Sequence, residues 1–451
     1  ASAAGTLSGM LVRAPVTLLL SAASTCAAPL IKWRHHASQR AQRMNDLGEA
    51  YGVVTETYFS KSIGLKAGHM IFTDPKHTPL RMPAGEYAVL DFIGDIVYEG
   101  TLQPVPLSSV YDHHWVATSS SNVNAFCGGT LGFVFGIGAE SRLSGVSFPD
   151  GMGYIVPNGT RWGANIHLLR TEGLAGDDQK RAAKECNECY YGPDKGEACV
   201  PAKNGTFACC AEFDTEGVSR CEVSDEGNAL PERRYQLRYT FSYTYDVEKL
   251  IALQLGTFSA PDCAVFYEVH RNDQVPVHLA SYEFKMPFDA TLAFAQGHMH
   301  TGALNVSLSV NGKLACTSNP TYGQSEGVAG DEKGYLVQVS PCISAASGPL
   351  PLKAGDSVLV EGRYWVGSTD ERIGFADGTH LNVMAYMYTA YYRTGDGYSS
   401  RGWATSRPCA AHVLAGSASP GLATTDGRMP VLPALHKARA ATTPKATGTA
   451  A

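Results

Sequence analysis

Tyr235-Gln236-Leu237-Arg238-Tyr239-Thr240-Phe241-Ser242-Tyr243-Thr244-Tyr245 alternates without a break between apolar and polar residues. Successive side chains of a β-strand point to opposite faces, so a period of two sets one face on a core and the other towards water. The run therefore predicts a half-buried strand, and its place in the chain marks the opening of a second domain. The same pattern recurs outward from it. Tyr87-Ala88-Val89-Leu90-Asp91-Phe92-Ile93 precedes Gly94-Asp95, and Leu304-Asn305-Val306-Ser307-Leu308-Ser309-Val310 runs into Asn311-Gly312, a dipeptide that favours a tight hairpin. A further run extends from Val383 to Tyr392. Low charge (17%), 47 glycines, 24 prolines and 22 tyrosines in 451 residues suit a loop-rich β architecture. The expected fold is all-β, with two tandem antiparallel β-sandwich domains, jelly-roll-like, and a disulfide-rich insert.

The expected boundaries follow from shifts in composition. Residues 1–45 form a signal or flexible N-terminal segment, 46–233 a first sandwich with a Cys-rich insert at 184–221, and 234–400 a second sandwich. Residues 401–451 are rich in Ala, Thr, Pro and Ser without hydrophobic periodicity, which predicts a disordered tail. Near the start, Met10 and Arg13, the apolar stretch Val16 to Ala23 and the small residues of Cys26-Ala27-Ala28 read as a secretory signal. No stretch of the chain is long and apolar enough for a transmembrane helix. A net charge of -6 gives no electrostatic footprint for nucleic acid.

Twelve cysteines, together with sequons at Asn158, Asn204 and Asn305, point to an oxidising compartment and a secreted or cell-surface glycoprotein. Cys186, Cys189, Cys199, Cys209, Cys210 and Cys221 crowd the insert. Cys186-x-x-Cys189 could open a zinc knuckle, but Cys209-Cys210 does not complete one, so disulfides are expected there in a pairing the sequence leaves open. Cys127, Cys263, Cys316 and Cys342 are further candidates, and the last two, flanking a Gly-rich loop, are expected to pair.

Chemistry enters with Gln296-Gly297-His298-Met299-His300-Thr301-Gly302. In a strand His298 and His300 share a face and could grip one metal ion. A His-x-His is expected by chance about 0.4 times in such a chain, so the pair needs companions. His113-His114 point to opposite faces of a regular strand and could serve one ion only through a bulge or through different ring nitrogens. His167, alone in a strand-like run, reads first as a hydrogen-bonded core residue, and Met384 as core filler.

Taken in order, His113, His114, His167, His298, His300 and Met384 resemble the ligand set of the copper type II, ascorbate-dependent monooxygenases, the family of peptidylglycine α-hydroxylating monooxygenase and dopamine β-monooxygenase. The resemblance spans roughly residues 60 to 395, including the approach from Gly151 to His167 and the spacing from Met384 to Tyr391-Tyr392. It implies two copper ions facing one another across a cleft: one for electron transfer on His113, His114 and His167, and one on His298, His300 and Met384 where a substrate C–H bond is hydroxylated. Ascorbate would be the reductant. Two imidazoles with a soft thioether favour a site that must hold Cu(I), which agrees. Gln296 and Tyr386 replace the arginine and asparagine of the peptide-amidating enzymes, so the clamp for a peptide carboxylate is missing, and Ala385 replaces a cysteine. Tyr388 is kept, either as a substrate contact or as an aromatic packed beside Met384 and Tyr386.

A closer resemblance is to the stress up-regulated Nod 19 proteins. It is carried by Gly68-His69-Met70, Pro104-Val105-Pro106-Leu107, Tyr111 to Trp115, Cys186-x-x-Cys189, Gly297 to Gly302 and Gly334-Tyr335-Leu336. The expected function is a secreted copper-dependent monooxygenase acting on an unknown small molecule or peptide. The alternative is a non-catalytic extracellular glycoprotein on the same scaffold, meeting other extracellular proteins. A third reading has the histidines bind zinc, or store copper, without turnover.

Overall fold

The computed structural model describes residues 31–73, 75–128, 131–184, 206–208, 222–369 and 379–395. The expected signal, the six insert cysteines, Asn204 and the C-terminal tail lie outside them. The fold is all-β. A twelve-stranded sheet runs through Trp33–Met44, Ala50–Ser60, Arg233–Thr244, Tyr87–Tyr98, Met152–Val156, Ile251–Ser259, Ala385–Arg393, Ala290–Met299 and Pro341–Ile343, with three short strands off this path. A five-stranded sheet (Thr206–Ala208, His69–Phe72, Trp162–Arg170, Val110–Ser119, Phe133–Ile137) and a four-stranded sheet (Val277–Lys285, Ser357–Trp365, Ala303–Val310, Lys313–Ser318) accompany it.

The alternating run at 235–245 is a strand, Arg233–Thr244, whose apolar residues Tyr235, Leu237, Tyr239, Phe241 and Tyr243 are all buried. It lies between Ala50–Ser60 and Tyr87–Tyr98, antiparallel to both, and its aromatic face shares a core with Trp115, Ile166 and Leu168 of the five-stranded sheet. A strand that returns late to an earlier sheet carries no local sign of its partner. Trp33–Met44, assigned by sequence to a flexible segment, is an edge strand paired along its length with Ala50–Ser60.

The second core lies between the far half of the long sheet and the four-stranded sheet, with Leu292, Ala385 and Met387 against Leu308, Val358 and Val360. The two halves share the long sheet through its one parallel pairing, Met152–Tyr154 with Ile251–Leu253. They also meet through Arg142, which donates to the carbonyl of Val105 at 2.9 Å and pairs at 3.4 Å with the fully buried Glu332. Asn311 and Gly312 both adopt positive φ (50° and 75°), as a tight hairpin turn demands, and join Ala303–Val310 to Lys313–Ser318. Cys316 pairs with Cys342, and Cys127 with Cys263 across 136 residues. No helix among the described residues is long and apolar enough to cross a membrane.

Candidate metal centre

His113 and His114 lie on Val110–Ser119, opposite Trp162–Arg170. The register runs His167 to His114 and then Leu168 to Asp112, so His113 is the extra residue of a β-bulge. A bulge breaks the strict alternation of faces and turns both histidines to one side. Ligand atoms of His113, His114 and His167 consequently lie within 4.8 Å of one another, and all three residues are buried. Phe72 meets His167 and His114 edge-on, with ring centroids at 5.3 and 6.2 Å.

His167 carries the clearest chemical sign. It is fully buried, yet neither ring nitrogen makes a hydrogen bond with another described residue. A polar group buried without a partner costs about 1–3 kcal/mol, which a metal bond would offset. Burial, then His113 and His114, hold its pKa well below the ordinary histidine value, so the ring is the neutral imidazole that metals bind. The donor set therefore fits a metal ion, and the plain core reading of His167 does not explain its bare nitrogens.

His298 is the penultimate residue of the strand Ala290–Met299, and its neighbour across the sheet is Tyr386. Extending that register pairs His300 with Met384, which sits at the break between Thr379–Val383 and Ala385–Arg393 rather than inside one strand. Side chains two apart share a face, so His298 and His300 share one, and their rings meet edge-on at 5.7 Å. Tyr364 ties His300 and Met384 together: its hydroxyl accepts from the His300 N–H at 2.7 Å and donates to the Met384 carbonyl at 2.6 Å. Met384 is buried with Leu131, Tyr386 and the Cys127–Cys263 disulfide. The two groups adjoin, for the rings of His113 and His300 meet edge-on at 4.9 Å.

Three neighbours had no signal in the sequence. Glu140, buried in the turn after Phe133–Ile137, lies 2.7 Å from Nδ1 of His298. Asp112 is pushed well above the usual carboxylate range by burial and by Glu140, while Ser141 Oγ donates to it at 3.2 Å. Gly136 admits Tyr388, since a Cβ there would overlap its hydroxyl. Tyr388 is half-buried by surface, but its hydroxyl points inward; burial and then Glu140 raise its pKa, so it stays protonated. Gln296 donates to the Val339 carbonyl at 2.9 Å. With Glu140, Gly136, Phe135, Phe294 and Tyr388 it lines a cavity of ≈ 20 Å³, room for about one water. Away from the centre, Asn158 is exposed in a turn and Asn305 is half-buried on its strand.

Residues 52–388 match the family described as Stress up-regulated Nod 19. The chain belongs to that family. This Nod 19 chain is also 30% identical over 139 residues to the "Probable copper-dependent oxygenase clz3" of Cochliobolus lunatus, covering 29% of itself and 41% of that protein. It is 31% identical over 119 residues to the "Probable copper-dependent oxygenase M1" of a Phoma species, covering 25% of itself and 28% of that protein. The matches thus span less than half the length of either relative. Among solved structures, the infectious bursal disease virus VP2 subviral particle aligns with 80% of this chain and 76% of its own at 11% identity, but a TM-score of 0.18 carries no argument.

Proposed function

We propose that this Nod 19 protein is a secreted, glycosylated, copper-dependent monooxygenase that hydroxylates a substrate C–H bond with dioxygen and ascorbate. The observation that carries the reading is the convergence of His113, His114 and His167 around a fully buried imidazole whose nitrogens make no hydrogen bond among the described residues. The names of the two relatives support copper as the metal and oxygenation as the reaction class. His113, His114 and His167 would hold one ion; His298, His300 and Met384 would hold the other. When bound, the metal would supply one-electron chemistry and dioxygen activation, with Met384 favouring the reduced state. The protein's own part is to keep the His167 imidazole neutral, exclude bulk water, and hold Tyr388 protonated beside Glu140.

The experiment is reconstitution followed by elemental analysis. Two coppers per chain and ascorbate-supported oxygen consumption are expected, with one copper lost in His298→Ala. A wild-type protein that takes up no copper ends the reading. The alternative, a non-catalytic extracellular glycoprotein, has one observation in its favour: the cavity beside the centre holds about one water, not a substrate. Copper uptake without oxygen consumption would select it, or a copper store.

A further inference from the structure

We propose that Glu140 is a positioning residue that fixes His298 as an Nε2 ligand, acting across the seam between the two sandwiches. The inference rests on the two-metal reading above. Glu140 follows a strand of the five-stranded sheet, whereas His298 lies near the end of a strand of the long sheet, 158 residues further on. Their contact, Glu140 Oε1 to His298 Nδ1 at 2.7 Å, is buried on both sides.

A carboxylate oxygen facing Nδ1 accepts its proton. The neutral ring then has its lone pair on Nε2, so the carboxylate selects both the tautomer and the donor atom offered to a metal. It also fixes the ring plane, as carboxylates behind metal-bound histidines do. The surroundings are shaped around this pair. A Cβ on Gly138 would sit 2.8 Å from the His113 carbonyl and 3.1 Å from both Glu140 Oε2 and His298 Cε1, so only glycine leaves room there for both side chains. Glu140 Oε2 makes no hydrogen bond with another described residue, and Glu140 lines the water-sized cavity. The carboxylate thus has one face on His298 and the other on space for a solvent molecule. Two buried groups merely filling volume would not require this alignment of acceptor and ring nitrogen.

The test uses ¹⁵N-histidine NMR of the full chain without metal, with His298 assigned through His298→Asn, followed by copper titration. The wild type is expected to show His298 as the Nδ1–H tautomer. Glu140→Ala should shift it towards Nε2–H and weaken one of the two copper sites about 10–100-fold, leaving the other as in the wild type. Glu140→Gln, whose amide oxygen still accepts from Nδ1–H, should keep the tautomer and most of the affinity. Circular dichroism and copper binding by His113, His114 and His167 report that each variant is folded. An Nε2–H tautomer in the wild type, or Glu140→Ala with tautomer and both affinities unchanged, overturns the proposal. Wild-type protein with the expected tautomer but no copper uptake would remove the two-metal reading and leave the Glu140–His298 coupling standing.

Discussion

His113, His114 and His167 come from two neighbouring strands of one sheet, and a single bulge brings them to a common face. His298 lies on the strand Ala290–Met299 with His300 just past its end, and Met384 sits at a break between two strands, so their order depends on side chains from elsewhere: Glu140 behind His298, Tyr364 between His300 and Met384, and the Cys127–Cys263 disulfide packed on Met384. The first group is organised by the backbone ladder, which is cooperative and hard to perturb one residue at a time. The second is organised by separate side-chain contacts, each of which a point mutation can remove. The difference predicts that substitutions outside the ligand sets will disturb the second group far more than the first.

The largest effect should come from the disulfide. Cys127→Ala combined with Cys263→Ala frees a loop of 136 residues and should lower the unfolding free energy by about 2–5 kcal/mol in denaturant titration. Copper affinity should fall at the second group and hold at the first. Equal losses at both would break the comparison.

Tyr364→Phe tests the same contrast more locally. It leaves two buried backbone groups, the His300 N–H and the Met384 carbonyl, without the hydroxyl that serves both, at about 1–2 kcal/mol each. Denaturation should register about 2–4 kcal/mol, and copper titration a weakened second group only. A first group weakened to the same degree would mean that the contact of His113 with His300 couples the two.

How far the sequence foretold this arrangement differs between the groups too. The strand at 235–245 and the Asn311-Gly312 hairpin were readable, because alternation and turn chemistry are local. A bulge at His113-His114 was readable as one of two conditions for a shared ion, the other being the use of different ring nitrogens. Which sheet the 233–244 strand joins was not, for strand pairing depends on partners 180 or so residues away that leave no periodic trace. Glu140 was equally hidden. It stands in the ordinary turn sequence Gly138-Ala139-Glu140-Ser141-Arg142, and nothing in its neighbours ties it to His298. Neither Gly136 nor Gly138 signals its purpose, because each makes room for atoms distant in the chain, the Tyr388 side chain at Gly136 and the His113 carbonyl and His298 ring at Gly138.

His167→Leu sharpens the contrast from the other side. An apolar side chain of similar volume removes two buried ring nitrogens that make no hydrogen bond among the described residues, so the metal-free protein should gain about 1–3 kcal/mol by denaturation while copper binding at the first group disappears. Function and stability then pull in opposite directions at one residue, the pattern expected of a ligand kept for its chemistry. A destabilised His167→Leu protein would instead return His167 to the role of a packed core residue.

The smallest effect is a slope with pH. In the metal-free protein His167 has a folded pKa well below its unfolded value, first through burial and then through His113 and His114. Above the unfolded value of about 6.5 the ring is neutral in both states, and the folded protein keeps its full stability. Below it the unfolded chain takes up a proton that the buried ring refuses, so stability falls as pH falls, approaching about 1.4 kcal/mol per unit until the folded pKa is reached. Thermal or denaturant unfolding between pH 7 and 5 should show this loss in the wild type and a shallower one in His167→Leu. Copper binding, which needs the neutral imidazole, should weaken over the same window because protons compete for the ligands. A wild type and His167→Leu with parallel pH profiles would mean that His167 protonates freely in the fold, and the contrast between a ladder-built and a clamp-built group would lose its firmest member.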